Sequence, residues 1–236
     1  MEKPKFKFSG MVADHDHLHV VSAVGEETIA PKYVDVPGIG SIPQYSPTVT
    51  GTEPIMYNPP GDCDGNFMSY RFQPNNNCYN YSTNIATNSF AQPGRKHGTK
   101  ITIDGEVVTN AAIQDGLIAI GNTTETKVSE LKDLTPDNPG HFVALMISIP
   151  DHSVNWPGDY HWARCDDLAN SKWSQKDGGD QVTNFDFAGN PISDPSTANW
   201  TVNQGPGMIQ GNNDDVVVEY KFYTYMYSPY GKVDII

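Results

Sequence analysis

The sequence predicts a strand-rich domain of mixed α and β structure, and three observations carry that expectation. The 236 residues include 21 Gly and 18 Pro, so turns punctuate the backbone heavily. Two stretches, 142–149 (FVALMISI) and 216–227 (VVVEYKFYTYMY), have the composition and length of sheet strands. One segment, 78–90 (CYNYSTNIATNSF), sets Cys78, Tyr81, Ile85 and Asn88 at i, i+3, i+7 and i+10, on one face of a helix.

The elements follow in chain order. Residues 1–60 hold eight prolines and lack a helical period. Within them 11–24 alternates as a strand, and 26–60 reads as an extended arm lying on the body or on a neighbour. Residues 61–236 read as the α+β domain proper. Asn75, Asn76 and Asn77 are good N-cap types just before the helix at Cys78, and Pro93-Gly94 ends that segment. Residues 100–108 suggest strand and turn. Residues 107–117 form a short helix stopped by Gly116, and 127–134 a second one. The run at 142–149 is a buried strand. Residues 159–164 (DYHWAR) and 172–176 (KWSQK) alternate and are joined by a link of hairpin length. Residues 186–195 are turn chemistry, and 216–227 is the clearest strand, running through the sheet.

A net charge of −13 and a pI near 4.7 exclude a nucleic-acid partner, because a surface this negative repels phosphates. The densest basic stretch, Arg95-Lys96-His97, is too small to change that. No run of 18 apolar residues is present, so no membrane span is expected. The N-terminus lacks the apolar segment of a signal peptide. The chain is therefore expected to be intracellular when made, exported by another route, or carried in an assembly such as a virus particle. No cofactor is expected, and no Gly-rich phosphate loop occurs that would support dinucleotide chemistry.

Three cysteines, Cys63, Cys78 and Cys165, cannot all pair, so a reactive thiol is a candidate. Cys78 at the first turn of a helix has the placement that lowers a thiol pKa. Its structural alternative is a half-buried core thiol. His161, on the opposite strand face from Tyr160 and Trp162, is a candidate general base. Its alternative is a satisfied sheet histidine, and His141 and His152 are competing bases. If 159–164 and 172–176 pair, Gln175 lies beside His161 and can orient the ring, with Asp166 as the other choice. His15, His17 and His19 share a strand face but are read as a solvated polar strand rather than a zinc or nickel site. Asp62, Asp64 and Asn66 are read as a turn, lacking calcium-loop spacing.

Several motifs carry a resemblance: Asn77-Cys78-Tyr79-Asn80-Tyr81, Asn88 to Gly94, Gln114-Asp115-Gly116, His141 to Leu145, Asp159-Tyr160-His161-Trp162, Trp173-Ser174-Gln175-Lys176, and 182–192. Their order resembles papain-like cysteine hydrolases of the NlpC/P60 and CHAP kind, and also the halovibrin group. The resemblance implies a papain-like fold, with a Cys-bearing helix packed on an antiparallel sheet. It implies Cys78 as nucleophile, His161 as base and Gln175 as orienting residue, with Trp162, Trp173 and Asp159 at the binding site. The family pattern expects His where Gln175 stands; a Gln can still orient an imidazole, and a degenerate site retained for binding is the alternative.

The leading expectation is thus a cysteine amidase or endopeptidase acting on a peptide or peptidoglycan substrate. One alternative is a catalytically degenerate structural or binding protein of a phage virion, touching other virion proteins through the N-terminal arm. The other is a halovibrin-like toxin cleaving NAD or transferring ADP-ribose.

Overall fold

The computed structural model describes residues 31–50, 67–68, 72–121, 123–206 and 215–236. The predicted strand at 11–24 with its three histidines, the Asp62–Asn66 turn and Cys63 lie outside the described residues. The elements run β1 (Lys32–Val36), β2 (Gly40–Gln44), β3 (Val49–Thr50), α1 (Cys78–Thr83), β4 (Ile85–Ala86), α2 (Gly105–Gln114), β5 (Ile118–Ala119), β6 (Gly140–Ser148), β7 (Asp159–Asp167), β8 (Lys172–Lys176), β9 (Val182–Thr183), β10 (Thr201–Pro206), β11 (Asp215–Glu219) and β12 (Lys221–Pro229). The frame is a six-stranded sheet in the order β5-β12-β6-β7-β8-β9, antiparallel at every pairing.

This corrects the expected papain-like fold. The protein is mostly β. The helix that bears Cys78 has only six residues, too short to form the long packed helix of a papain-like layer. Its start follows the sequence logic: Asn77 caps the backbone N–H groups of Tyr79 and Asn80, and the Asn80 side chain answers to the Asn77 N–H. Its end does not. Asn84 adopts a left-handed backbone (φ 58°) and closes the helix onto the carbonyls of Asn80 and Tyr81. The chain then turns into β4, which pairs with β3. Between 101 and 104 the chain is irregular rather than strand, and α2 begins at Gly105, capped by the Asp104 carboxylate.

β6 is the centre of the sheet, and its unbroken apolar sequence reflects burial on both faces. Phe142, Ala144 and Met146 join Ala163, Cys165, Trp173 and Tyr225 on one face. That face is covered by the β10–β11 hairpin through Val202, Val216 and Val218, together with Trp200 and Tyr220. Val143, Leu145 and Ile147 join Tyr160, Trp162 and Met226 on the other face. There Cys78 and Tyr79 of α1 and Val108 and Ala112 of α2 form the cover.

The run at 216–227, expected as one strand, is two. β11 belongs to the covering hairpin and β12 to the main sheet, with the break at Tyr220. The Tyr220 N–H donates to the Trp200 carbonyl (3.0 Å), extending the β10–β11 register by one residue, and from Lys221 onward the chain pairs with β6. Within the region expected to be an extended arm, β1 and β2 form a hairpin whose Val36 and Ile42 pack against Ile236.

Candidate functional site

β7 carries the residues on which the chemical expectations rest, and its alternation decides them. Tyr160 and Trp162 face α1, while His161 and Ala163 face the β10–β11 hairpin. The His161 ring sits against Phe187 (5.4 Å), Trp200 (5.5 Å) and Tyr220 (6.1 Å), all on the hairpin side. Cys78 packs on the α1 side, beside the backbone of Trp162. The nucleophile and base implied by the resemblance therefore lie on opposite faces of a sheet.

The structure does join His161 and Gln175. The Gln175 amide N–H donates to the Phe185 carbonyl (2.9 Å), which turns its Oε1 toward His161 Nε2 (2.7 Å). Nε2 therefore carries the proton, and Nδ1 has no partner. Burial pulls the His161 pKa down to about 4, so the ring is neutral near pH 7. A base enclosed by three aromatic rings has no route to a substrate.

Cys78 is equally closed. It is 6% exposed, and burial, with the carboxyls of Asp159 and Asp177 adding to it, holds its thiol well above the ordinary range. The helix N-terminus was expected to lower that value, but desolvation outweighs a single six-residue turn. Cys165, the other free thiol among the described residues, is raised by burial as well. Trp162 and Trp173 are fully buried on opposite faces, Trp162 against Tyr79 and Trp173 against Tyr225. Asp159 is 3% exposed and accepts from the Tyr220 hydroxyl (2.9 Å) and the Tyr160 N–H (2.7 Å). None of the three binding candidates presents a surface to a ligand.

The expected result for thiol labelling follows. Iodoacetamide at pH 7 should modify Cys78 at less than about a tenth of the rate of an exposed thiol, and His161→Ala should leave that rate unchanged. Mass spectrometry of the alkylated peptides reads both. Fast labelling at pH 6 that disappears in His161→Ala would overturn the opposed-face geometry.

Sequence reasoning missed the polar groups that organise this region. Lys176 is fully buried, and its ammonium donates to the carbonyls of Gln73 (2.6 Å), Asn76 (2.6 Å) and Gly178 (2.8 Å). The charge thereby ties the turn ahead of α1 to β8. Arg164 donates to Asp166 (2.7 Å) and lies 3.9 Å over the Tyr81 ring. Ser174 donates to the other Asp166 oxygen and accepts from the Tyr81 hydroxyl (2.6 Å). Asp177 is 3% exposed, and neither of its carboxyl oxygens has a hydrogen-bond partner. The alternation of β7 pairs Arg164 with Asp166 in the sequence, but Tyr81 and Ser174 are 93 residues apart and left no local signal. Among the described residues no group of three or more His, Cys, Asp or Glu is placed to hold a metal ion. No helix of the described residues is long and apolar enough to cross a membrane.

Fold and site together define a β-sheet protein whose conspicuous polar side chains bind one another inside the core. The comparison with known proteins carries this further. The chain belongs to the family of insoluble matrix shell protein 1 of Ruditapes philippinarum, to which it is 39% identical over 144 residues, covering 55% of this chain and 81% of that protein. No family model matches the sequence, and no solved structure matches it. The resemblance to NlpC/P60 and CHAP hydrolases is thereby corrected. With it fall the peptidoglycan amidase, the phage-virion protein and the halovibrin-like toxin, since the relative is a shell matrix protein and short motifs without their spatial arrangement misled.

Proposed function

We propose that the chain is a structural constituent of an insoluble organic matrix of the shell type. The carrying observation is its 39% identity to insoluble matrix shell protein 1 across 81% of that protein. Two features support the reading. The core uses its ionisable groups internally, Arg164 with Asp166 and Lys176 with three carbonyls, as suits a durable scaffold. The net charge of −13 repels polyanions and attracts cations, so no nucleic-acid partner is assigned.

The test is fractionation. Mineralised tissue of the source organism is decalcified, and the acid-soluble and acid-insoluble residues are digested and sequenced by mass spectrometry. Peptides of this chain are expected in the insoluble fraction, enriched over the soluble one. Their presence in soft-tissue extracts alone, with none in either matrix fraction, would overturn the proposal.

A further inference from the structure

Three tripeptides of the chain have the acceptor pattern for N-linked sugar: Asn80-Tyr81-Ser82, Asn122-Thr123-Thr124 and Asn199-Trp200-Thr201. Asn122 lies outside the described residues. The other two asparagines have opposite surroundings. We propose that Asn199 carries an N-linked oligosaccharide and that Asn80 does not.

Asn199 sits in the loop that leads into β10, and its backbone is held on both sides. Its N–H donates to the Asp186 carboxylate (2.9 Å), and its carbonyl accepts from the Phe187 N–H (3.0 Å). Trp200, the next residue, is 3% exposed and donates its indole N–H to the Pro195 carbonyl (2.8 Å). The residues flanking that anchor, Asn199 and Thr201, are both exposed. The Thr201 N–H donates to the Asn199 side-chain oxygen (2.9 Å), and because an N–H needs an acceptor, that bond fixes which end of the amide is oxygen. The nitrogen is the free end. Among the described residues it donates no hydrogen bond, so exchanging one of its protons for a sugar breaks nothing in the fold.

Asn80 is the reverse case. It is fully buried, and its amide nitrogen donates to the Ile85 carbonyl and the Thr87 hydroxyl, both at 2.8 Å. Its oxygen accepts from the N–H groups of Asn77 (3.2 Å) and Ala91 (2.9 Å). A sugar on that nitrogen removes one of the two donated bonds and brings a bulky polar ring into a close-packed interior. A chain modified there cannot reach this fold.

The step is a glycosyl transfer. Nδ2 of Asn199 forms a bond to the anomeric carbon of a lipid pyrophosphate-linked oligosaccharide, and the amide gives up one proton. The bond from that carbon to the pyrophosphate oxygen breaks, and the lipid pyrophosphate leaves with the electron pair. Transfer takes place in the secretory lumen, which a constituent of a matrix laid down outside the cell has to cross, so in this respect the site rests on the matrix reading.

The experiment takes every matrix and soft-tissue fraction of the source organism that contains this chain. Peptides are treated with peptide N-glycosidase A in oxygen-18 water, which turns a glycosylated Asn into labelled Asp, and mass spectrometry reads each position against a digest without the enzyme. Label is expected at Asn199 as the main form and absent from Asn80. Bare Asn199 as the main form, or label at Asn80, overturns the proposal. Bare Asn199 within the insoluble matrix does so while leaving the matrix reading intact. Labelled Asn199 in a chain confined to soft tissue upholds the site and removes the matrix reading instead. In the full chain secreted from insect cells behind a cleavable leader, Thr201→Ala is expected to abolish the label at Asn199 and Thr201→Ser to keep it. Label that survives Thr201→Ala overturns the proposal, and the wild-type result stands even if that variant does not fold.

Discussion

Arg164→Met is expected to destabilise the protein by about 3–5 kcal/mol, read from urea unfolding of the two chains at pH 7.5. The side chain is 4% exposed, and methionine fills much of its volume, so packing accounts for little of the loss. The larger part is the carboxyl left behind. Asp166 is buried and already raised by burial, with Arg164 as the first influence lowering it. Without the guanidinium it must stay ionised and unpaired or take up a proton. The variant should therefore recover part of its stability as pH falls, since protonation relieves the uncompensated charge. Adding Asp166→Asn should restore part of the loss at pH 7.5, because an amide still serves Ser174 without a buried charge. A loss below about 1 kcal/mol in the single variant, unchanged between pH 5 and 7.5, would show that the pair does not hold β7 to α1.

Gln175 pairs opposite Ala163 and so lies diagonal to His161 on one face, while Arg164 and Asp166 share the other face of β7, and both adjacencies can be read from period-two alternation along β7 and β8. The apolar run of β6 and the asparagine cap of α1 are local patterns in the same sense. What alternation cannot supply is the side on which a separate element lands. Cys78 lies about eighty residues before His161 in the sequence, and nothing in either segment states that α1 covers the Trp162 face while His161 looks at the hairpin. The supposed dyad failed on that single choice. The strand at 216–227 misled for a related reason: its pattern is continuous, but the chain pairs with β10 up to Tyr220 and with β6 from Lys221, and no local signal marks that change of partner. His141 was noticed only as a competing base, because its contact with the Ser82 carbonyl, 59 residues away, is a property of the fold.

The free energy of unfolding should fall as pH rises from 6.5 to 8.5, the reverse of what surface carboxylates produce. Burial raises the Asp159 pKa from 3.8 to about 8, and Asp177 is raised well above its ordinary value, chiefly by burial, with Asp180 and Asp159 adding to it and Lys176 opposing. An acid raised in the folded state keeps a proton that the unfolded chain has released. Between its two pKa values, each such group then costs about 1.4 kcal/mol of stability per pH unit. For Asp159 that loss runs up to about pH 8 and levels off beyond, and Asp177, raised in the same direction, adds to it. His161 and His141, lowered to about 4 and about 3, act in the opposite sense, but only below pH 6.5, where the unfolded imidazoles gain protons that the folded ones refuse. Asp115, raised to about 6, is largely ionised above that window. The slope above pH 6.5 thus comes chiefly from the buried acids around Tyr220, and the raised Cys78 and Cys165 thiols add to it in the same direction toward pH 8.5. Asp159→Asn resembles the protonated acid in shape and keeps an acceptor for the Tyr160 N–H, so it should remove roughly half of the slope while folding normally. Stability that is flat or rising across this window in the wild-type chain would mean that Asp159 and Asp177 are ionised within the fold.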